Sequence, residues 1–174
     1  MLSAANAVKT WLYLMLAVTA AAIGLVVYSA TIYKALTPQV VFVTIQGERI
    51  AVADLRGKVT LINFWATDCA ICIKEMPQLV DTYQKFKARG FETIAVAMRH
   101  DPPNYVLAYA GKNALPFKVA LDPMGDIARA FGDVKLTPTT FIIDKRGNVV
   151  RKILGEPDFK KLHELLEAKL AEPM

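Results

Sequence analysis

The sequence predicts an α/β domain, a mixed central sheet with helices on both faces and an N-terminal β-hairpin, preceded by one transmembrane helix. Three observations predict it. A single run of 23 residues, Trp11 to Tyr33, holds no charge, amide or His. Beyond Pro38, short apolar runs of buried-strand type alternate with segments of helical periodicity. An antiparallel pair and a last amphipathic helix then close the chain.

Composition sets the outer limits. The chain has 174 residues, 54% of them hydrophobic, with a net charge of +5. That excludes a disordered chain, because apolar content is high and charge per residue is low. Two cysteines exclude a disulfide-stapled miniprotein and a four-thiolate metal or iron–sulfur site. The bases are scattered, with no long basic run and no aromatic–basic stacking motif, so no nucleic-acid partner is expected.

The first element is the apolar run. At about 1.5 Å per residue, a helix over 11–33 crosses a hydrocarbon core of roughly 30 Å. Trp11 and Tyr13 at one end and Tyr28 and Tyr33 at the other fit interfacial aromatic belts. A cleaved signal peptide is the competing reading. It requires a shorter apolar region and a small-x-small site, and Val27-Tyr28-Ser29 is a poor one. The chain therefore divides into a tail (1–10), an anchor (11–33), a linker (34–39) and a folded domain (40–172). Lys9 and Lys34 flank the span and bias its orientation only slightly.

Within the domain, Val40–Ile45 and Arg49–Val52 are read as a hairpin across Gln46-Gly47, and Val59–Trp65 as a buried strand. A helix follows over about 69–88, with Met76, Leu79, Val80, Tyr83 and Phe86 on one face and Arg89-Gly90 ending it. Strands are expected at 91–98 and 117–121, with helices at 105–112 and 126–131. A hairpin over 140–144 and 149–154 leads to a helix capped by Asp158, with Leu162, Leu166 and Leu170 inward and His163 on its polar side.

Both cysteines lie in Cys69-Ala70-Ile71-Cys72, where the strand meets its helix. Unpaired N–H groups and the positive end of the helix dipole stabilise an anion there, so Cys69 can hold a thiolate. One helical turn brings Cys72 within bonding range. Such a pair can attack a disulfide through Cys69 and resolve the mixed disulfide through Cys72. A static disulfide is the first alternative, but closing so short a loop contributes little stability. A metal site is the second. It needs two more ligands, and neither His100 nor His163 has ligand spacing to the cysteines, so no metal is expected.

Four segments carry a resemblance. Phe64-Trp65-Ala66-Thr67, the CxxC, Glu75 and Pro77 reproduce FWAT-x-CxxC-xx-E-x-P. Thr137 to Asp144 resembles a TPTTFxID segment, Asp54 to Val59 a DLRGKV lead-in, and Leu121-Asp122-Pro123 an LD-P stretch. In that order they resemble the TlpA/ResA-like, membrane-anchored thiol–disulfide oxidoreductases of thioredoxin-like fold. The resemblance implies a redox-active Cys69–Cys72 disulfide, with Cys69 as nucleophile and Cys72 as resolving thiol. It further implies Pro138 as a cis-proline facing them, Thr137 offering backbone hydrogen bonds to substrate, Trp65 beside the active-site loop as a third substrate-binding residue, and Glu75 as a buried proton shuttle. No cofactor is implied. The implied partners are protein disulfides and a membrane electron donor of the thiol–disulfide transporter type. The implied place is a bacterial cytoplasmic membrane, single-pass, with the catalytic domain on the periplasmic side. Reduction of apocytochrome c thiols is a narrower version.

Departures from the pattern bear on potential and partner, not on the chemistry. Asp68 stands where Trp is common, and its charge disfavours a thiolate at Cys69. Ala70-Ile71 lacks the proline often found before the second cysteine, and Asp133 lengthens the approach to Pro138. Asn63 stands where thioredoxin carries a buried Asp, which makes Glu75 more important. Two other function classes compete. A thiol peroxidase of the peroxiredoxin branch places Thr three and Pro seven residues before its Cys, where this chain has Ala66 and Ile62. A copper-binding assembly factor of thioredoxin fold typically uses a CxxxC spacing, one residue longer than here.

Overall fold

The computed structural model describes residues 4–32 and 37–173, which form two separate compact units. The first is a single helix, α1 (Ala4–Ile32), which begins well before Trp11. Its side chains are described for Lys9 and for 11–24, all exposed. Among the described residues, no helix is long and apolar enough to cross a membrane; residues 11–24 amount to about 21 Å of helix at 1.5 Å per residue. Tyr33 and the linker residues 34–36 lie outside the described residues.

The second unit begins earlier than the expected boundary at Val40. Thr37 is buried, and both its backbone N–H and its hydroxyl donate to the Gly147 carbonyl, at 3.2 and 2.8 Å. The strands are β1 (Val41–Val43), β2 (Arg49–Ala51), β3 (Val59–Trp65), β4 (Phe91–Ala97), β5 (Lys118–Leu121), β6 (Thr139–Ile143) and β7 (Val149–Leu154). The helices are α2 (Ala70–Phe86), α3 (Pro103–Lys112), α4 (Asp126–Ala130) and α5 (Phe159–Ala171). Five strands form one sheet in the order β5-β4-β3-β6-β7. β3, β4 and β5 run parallel, while β6 and β7 are antiparallel to their neighbours.

β3 reads as an unbroken apolar run because both its faces are covered: all seven of its residues are buried. Successive side chains point to opposite faces. Leu61 and Trp65 join Met76, Leu79 and Phe86 of α2 and Leu162 and Leu166 of α5 in one core. Ile62 and Phe64 join a second core with Ile127 of α4, and with Phe42 and Ile50 of the β1–β2 pair. The hairpin thus lies against the main sheet as a cover.

Helix boundaries shift for local reasons. Cys69 is the N-cap of α2, so the helix proper starts at Ala70. Pro77 lies inside α2 and has no N–H to donate. The helix tightens into a 3₁₀ turn at Lys87–Arg89 and stops at Gly90, whose φ of 87° suits glycine. Asp158 caps α5 as expected, accepting from the Lys161 N–H at 3.2 Å. His163 departs from its expected polar setting. It is half-buried, its ring 5.3 Å from that of Phe86 and its Nε2 2.9 Å from the Thr82 hydroxyl.

Candidate active site

The site forms where β3 runs out. After Trp65 the chain turns through Ala66, Thr67 and Asp68, and the Cys69 N–H donates to the Ala66 carbonyl at 3.2 Å. Cys69 and Cys72 are joined as a disulfide, with Cα atoms 5.2 Å apart. The Cys69 sulfur accepts the Cys72 N–H at 3.2 Å, so it satisfies one of the free amides at the start of α2. Cys69 is half-buried and Cys72 fully buried. The two sulfurs are therefore unequal: only the first is open to a substrate.

One turn further along α2, Glu75 is completely buried and faces Asn63 of β3. Asn63 Nδ2 donates to Glu75 Oε1 at 3.0 Å and to Thr140 Oγ1 of β6 at 3.1 Å. Among the described residues, Glu75 Oε2 and Asn63 Oδ1 have no hydrogen-bond partner. Burial pushes the Glu75 carboxyl up to about 7, against the opposing hydrogen bond from Asn63 and with a further push from the Glu156 charge. Glu75 is thus a buried carboxyl and not a surface helix carboxylate paired with Lys74 or Lys85. Lys74 instead pairs with Glu156 at 2.8 Å.

β6 brings in the proline. Thr139 and Thr140 pair with Phe64 and Asn63, so Pro138 comes to the end of the sheet from which Cys69 emerges. The Thr137–Pro138 peptide is cis. Pro138 is buried, and its carbonyl accepts the Gly155 N–H at 2.9 Å. Thr137 is half-buried. Among the described residues, neither of its backbone groups bonds to another backbone group.

Trp65 needs correction as a substrate contact. It is wholly buried, packed against the Tyr109 ring at 5.3 Å, so it supports the turn from below. Asp68 is 73% exposed, its Oδ1 3.6 Å from His100 Nε2, so water and a neighbouring imidazole screen it from Cys69. Two contributors were missed in the sequence. Thr140 is one. The other is Asp101, a buried carboxylate that accepts the Thr67 N–H at 2.7 Å and the Thr67 hydroxyl at 2.5 Å. Its only signal is an Asp four residues after β4 and immediately before Pro102-Pro103, which reads as turn chemistry.

A disulfide bridging a helix start, one half-buried and one fully buried cysteine, a cis-proline alongside and a carboxyl poised near neutrality make a dithiol–disulfide exchange centre. Known proteins resemble this chain in sequence and fold. The chain matches the Redoxin family over residues 34–166. The thiol-disulfide oxidoreductase ResA of Bacillus thuringiensis subsp. konkukian is 38% identical over 133 residues, covering 75% of this chain and 74% of that protein. ResA of Bacillus subtilis is 35% identical over 132 residues, covering 74% and 71%. Among solved structures, a protein from Neisseria meningitidis described as a thioredoxin superposes with a TM-score of 0.72 at 37% identity, over 76% of this chain and 88% of that one. The thiol:disulfide interchange protein DsbE of Chlorobium tepidum does so with a TM-score of 0.72 at 29% identity, over 78% and 96%. The sheet and helices are thus those of a thioredoxin-like fold, and the chain belongs to the Redoxin family as a thiol–disulfide oxidoreductase of the ResA type.

Proposed function

We propose that this oxidoreductase is a protein-disulfide reductase held at the outer face of a bacterial cytoplasmic membrane by residues 11–33, and that a membrane thiol–disulfide transporter recharges it. The observation that carries the exchange chemistry is Glu75, a buried carboxyl with a raised pKa one helical turn from Cys72, able to take and return the proton of the resolving thiol. In the reduced protein, the Cys69 thiolate attacks a substrate disulfide, forming a mixed disulfide and releasing one substrate thiolate. Cys72 then gives its proton to the Glu75 carboxylate and attacks Cys69. The second substrate thiol leaves, and the Cys69–Cys72 disulfide remains. Two electrons pass from the dithiol to the substrate; the first substrate thiolate takes its proton from water, and the proton held on Glu75 is released to balance the second.

Substrate access follows the same geometry. Thr137 offers unpaired backbone groups beside Cys69, in the manner of an added strand. Ile71 and Leu136, 48% and 62% exposed, give an apolar rim that suits an unfolded polypeptide. The anchor rests on the exposed, uncharged side chains from Trp11 to Gly24, an apolar surface that water disfavours and lipid accepts. A role in cytochrome c maturation is the narrower form of this proposal. It rests on the ResA relatives and on the site's suitability for a dithiol substrate.

The reduction potential of the Cys69/Cys72 couple against glutathione tests the direction. A value near the roughly −270 mV of thioredoxin is expected, and one near about −120 mV would make the protein an oxidant. Cys69→Ser should abolish insulin reduction, whereas Cys72→Ser should accumulate mixed disulfides visible on non-reducing gels. Multiple turnovers by Cys72→Ser would overturn the assigned roles.

A further inference from the structure

Beside the active-site turn lies a cavity of about 410 Å³, between the loop that follows β4 and the segment around α4. Arg99 and His100 line it from the first, and Gly125, Arg129, Asp133 and Lys135 from the second. It adjoins the redox centre on two sides. His100 Nε2 is 3.6 Å from Asp68, the residue before Cys69, and Lys135 stands two residues before Thr137.

The lining is cationic and incompletely paired. Lys135 meets Asp133 at 3.0 Å, and Arg129 is engaged by Asp126 and by the Met124 carbonyl. Arg99 has no ion pair and no side-chain hydrogen bond among the described residues, and it is exposed. Gly125 makes the approach of the two arginines possible. Its φ is +71°, and a Cβ there would stand 3.2 Å from Arg99 Cδ and 3.4 Å from Arg129 Nη1. The two arginine side chains approach the same point of the lining, where a planar anion can accept from the unpaired Arg99 guanidinium beside the engaged Arg129.

Resting on the disulfide-exchange reading above, we infer that this cavity is a subsite for a carboxylate side chain, Asp or Glu, of the polypeptide whose sulfur is exchanged at Cys69. A free anion in so open a cavity bears the full entropic cost of association. A carboxylate on a chain already held at Cys69 arrives at high effective concentration. The subsite thus favours substrates with acidic residues near the reacting cysteine.

The test uses the full-length oxidised protein in detergent micelles and a fluorescent octapeptide with Glu on both sides of a central Ser, together with its Gln-matched twin. Anisotropy at low ionic strength should show the Glu peptide binding roughly three- to tenfold tighter, the range of one partly solvated charge pair. High salt should shrink that ratio, Arg99→Gln should bring it to near one, and Arg99→Glu should invert it. The same peptides carrying Cys as a mixed disulfide, exchanged with the reduced protein, give a rate ratio where affinities are too weak to read. Equal behaviour of the two peptides in wild type, or a preference that survives Arg99→Gln, would overturn the subsite. Arg99-dependent binding of inorganic phosphate with no preference between the peptides would overturn the carboxylate assignment. Insulin reduction by the same preparations checks the exchange reading separately, since its failure beside an intact Glu preference counts against that reading alone.

Discussion

Glu75 has no solvent exposure, one hydrogen-bond donor in Asn63, and one oxygen without a partner among the described residues. Its carboxyl is raised from 4.5 to about 7. The folded protein therefore holds this proton between those values while the unfolded chain has released it, so the associated stability is present below about 4.5 and is lost as pH rises through about 7. The full span corresponds to about 3 kcal/mol as an order of magnitude. Glu75→Gln keeps an acceptor for Asn63 and removes the titration. Urea denaturation of the oxidised proteins should show wild type losing stability from pH 5 to pH 8 relative to the variant. Parallel pH profiles would mean that Glu75 does not carry the effect. The exchange rate should lose an inflection near neutrality in the same variant, because the proton acceptor for Cys72 is gone.

At the scale of elements, the turn between β3 and α2 is held from the side by Asp101, on the loop before α3. Asp101→Ala leaves the Thr67 N–H and hydroxyl without their acceptor in a part-buried setting, at a cost of about 1–3 kcal/mol. Asp101→Asn keeps an acceptor and should recover part of it. Chemical denaturation reads the loss. Alkylation of reduced Cys69 should change rate in Asp101→Ala if the clamp also fixes the cysteine's position.

The strands and helices were legible in the sequence because period and punctuation were strong. The buried run at 59–65, the apolar face of α2 and the Asp158 cap all stand where they were read. The cysteine pair was legible because its spacing and its place at a helix start carry their own chemistry. Asp101 and Thr140 were not, because their partners lie far away in sequence, and no local pattern marks a long-range hydrogen bond. His163 was misplaced because helical phase alone does not tell a polar face from one that packs on a neighbouring helix.

For the whole molecule, the chain divides between Ala35 and Leu36, and among the described residues the cores of the second unit draw on nothing before Val40. A chain starting at Leu36 should fold cooperatively, with a far-ultraviolet circular dichroism spectrum of mixed α/β type and an intact thiol–disulfide couple. Aggregation or a non-cooperative melt would show that residues 1–35 contribute to the fold. In cells, the full chain should fractionate with membranes and resist extraction by high salt, and a mature N-terminus near Ala30 would mean that the apolar run is removed.

β3 is hydrogen-bonded on both edges, packed on both faces, and ends four residues before Cys69. Such a strand belongs to the part of a protein whose amides exchange with solvent only on global unfolding. Isotope exchange should therefore find the slowest amides of the molecule, those of residues 61–64, directly behind the most reactive sulfur. A partner reaches that sulfur by approaching a fixed surface, and its capture requires no opening of the fold.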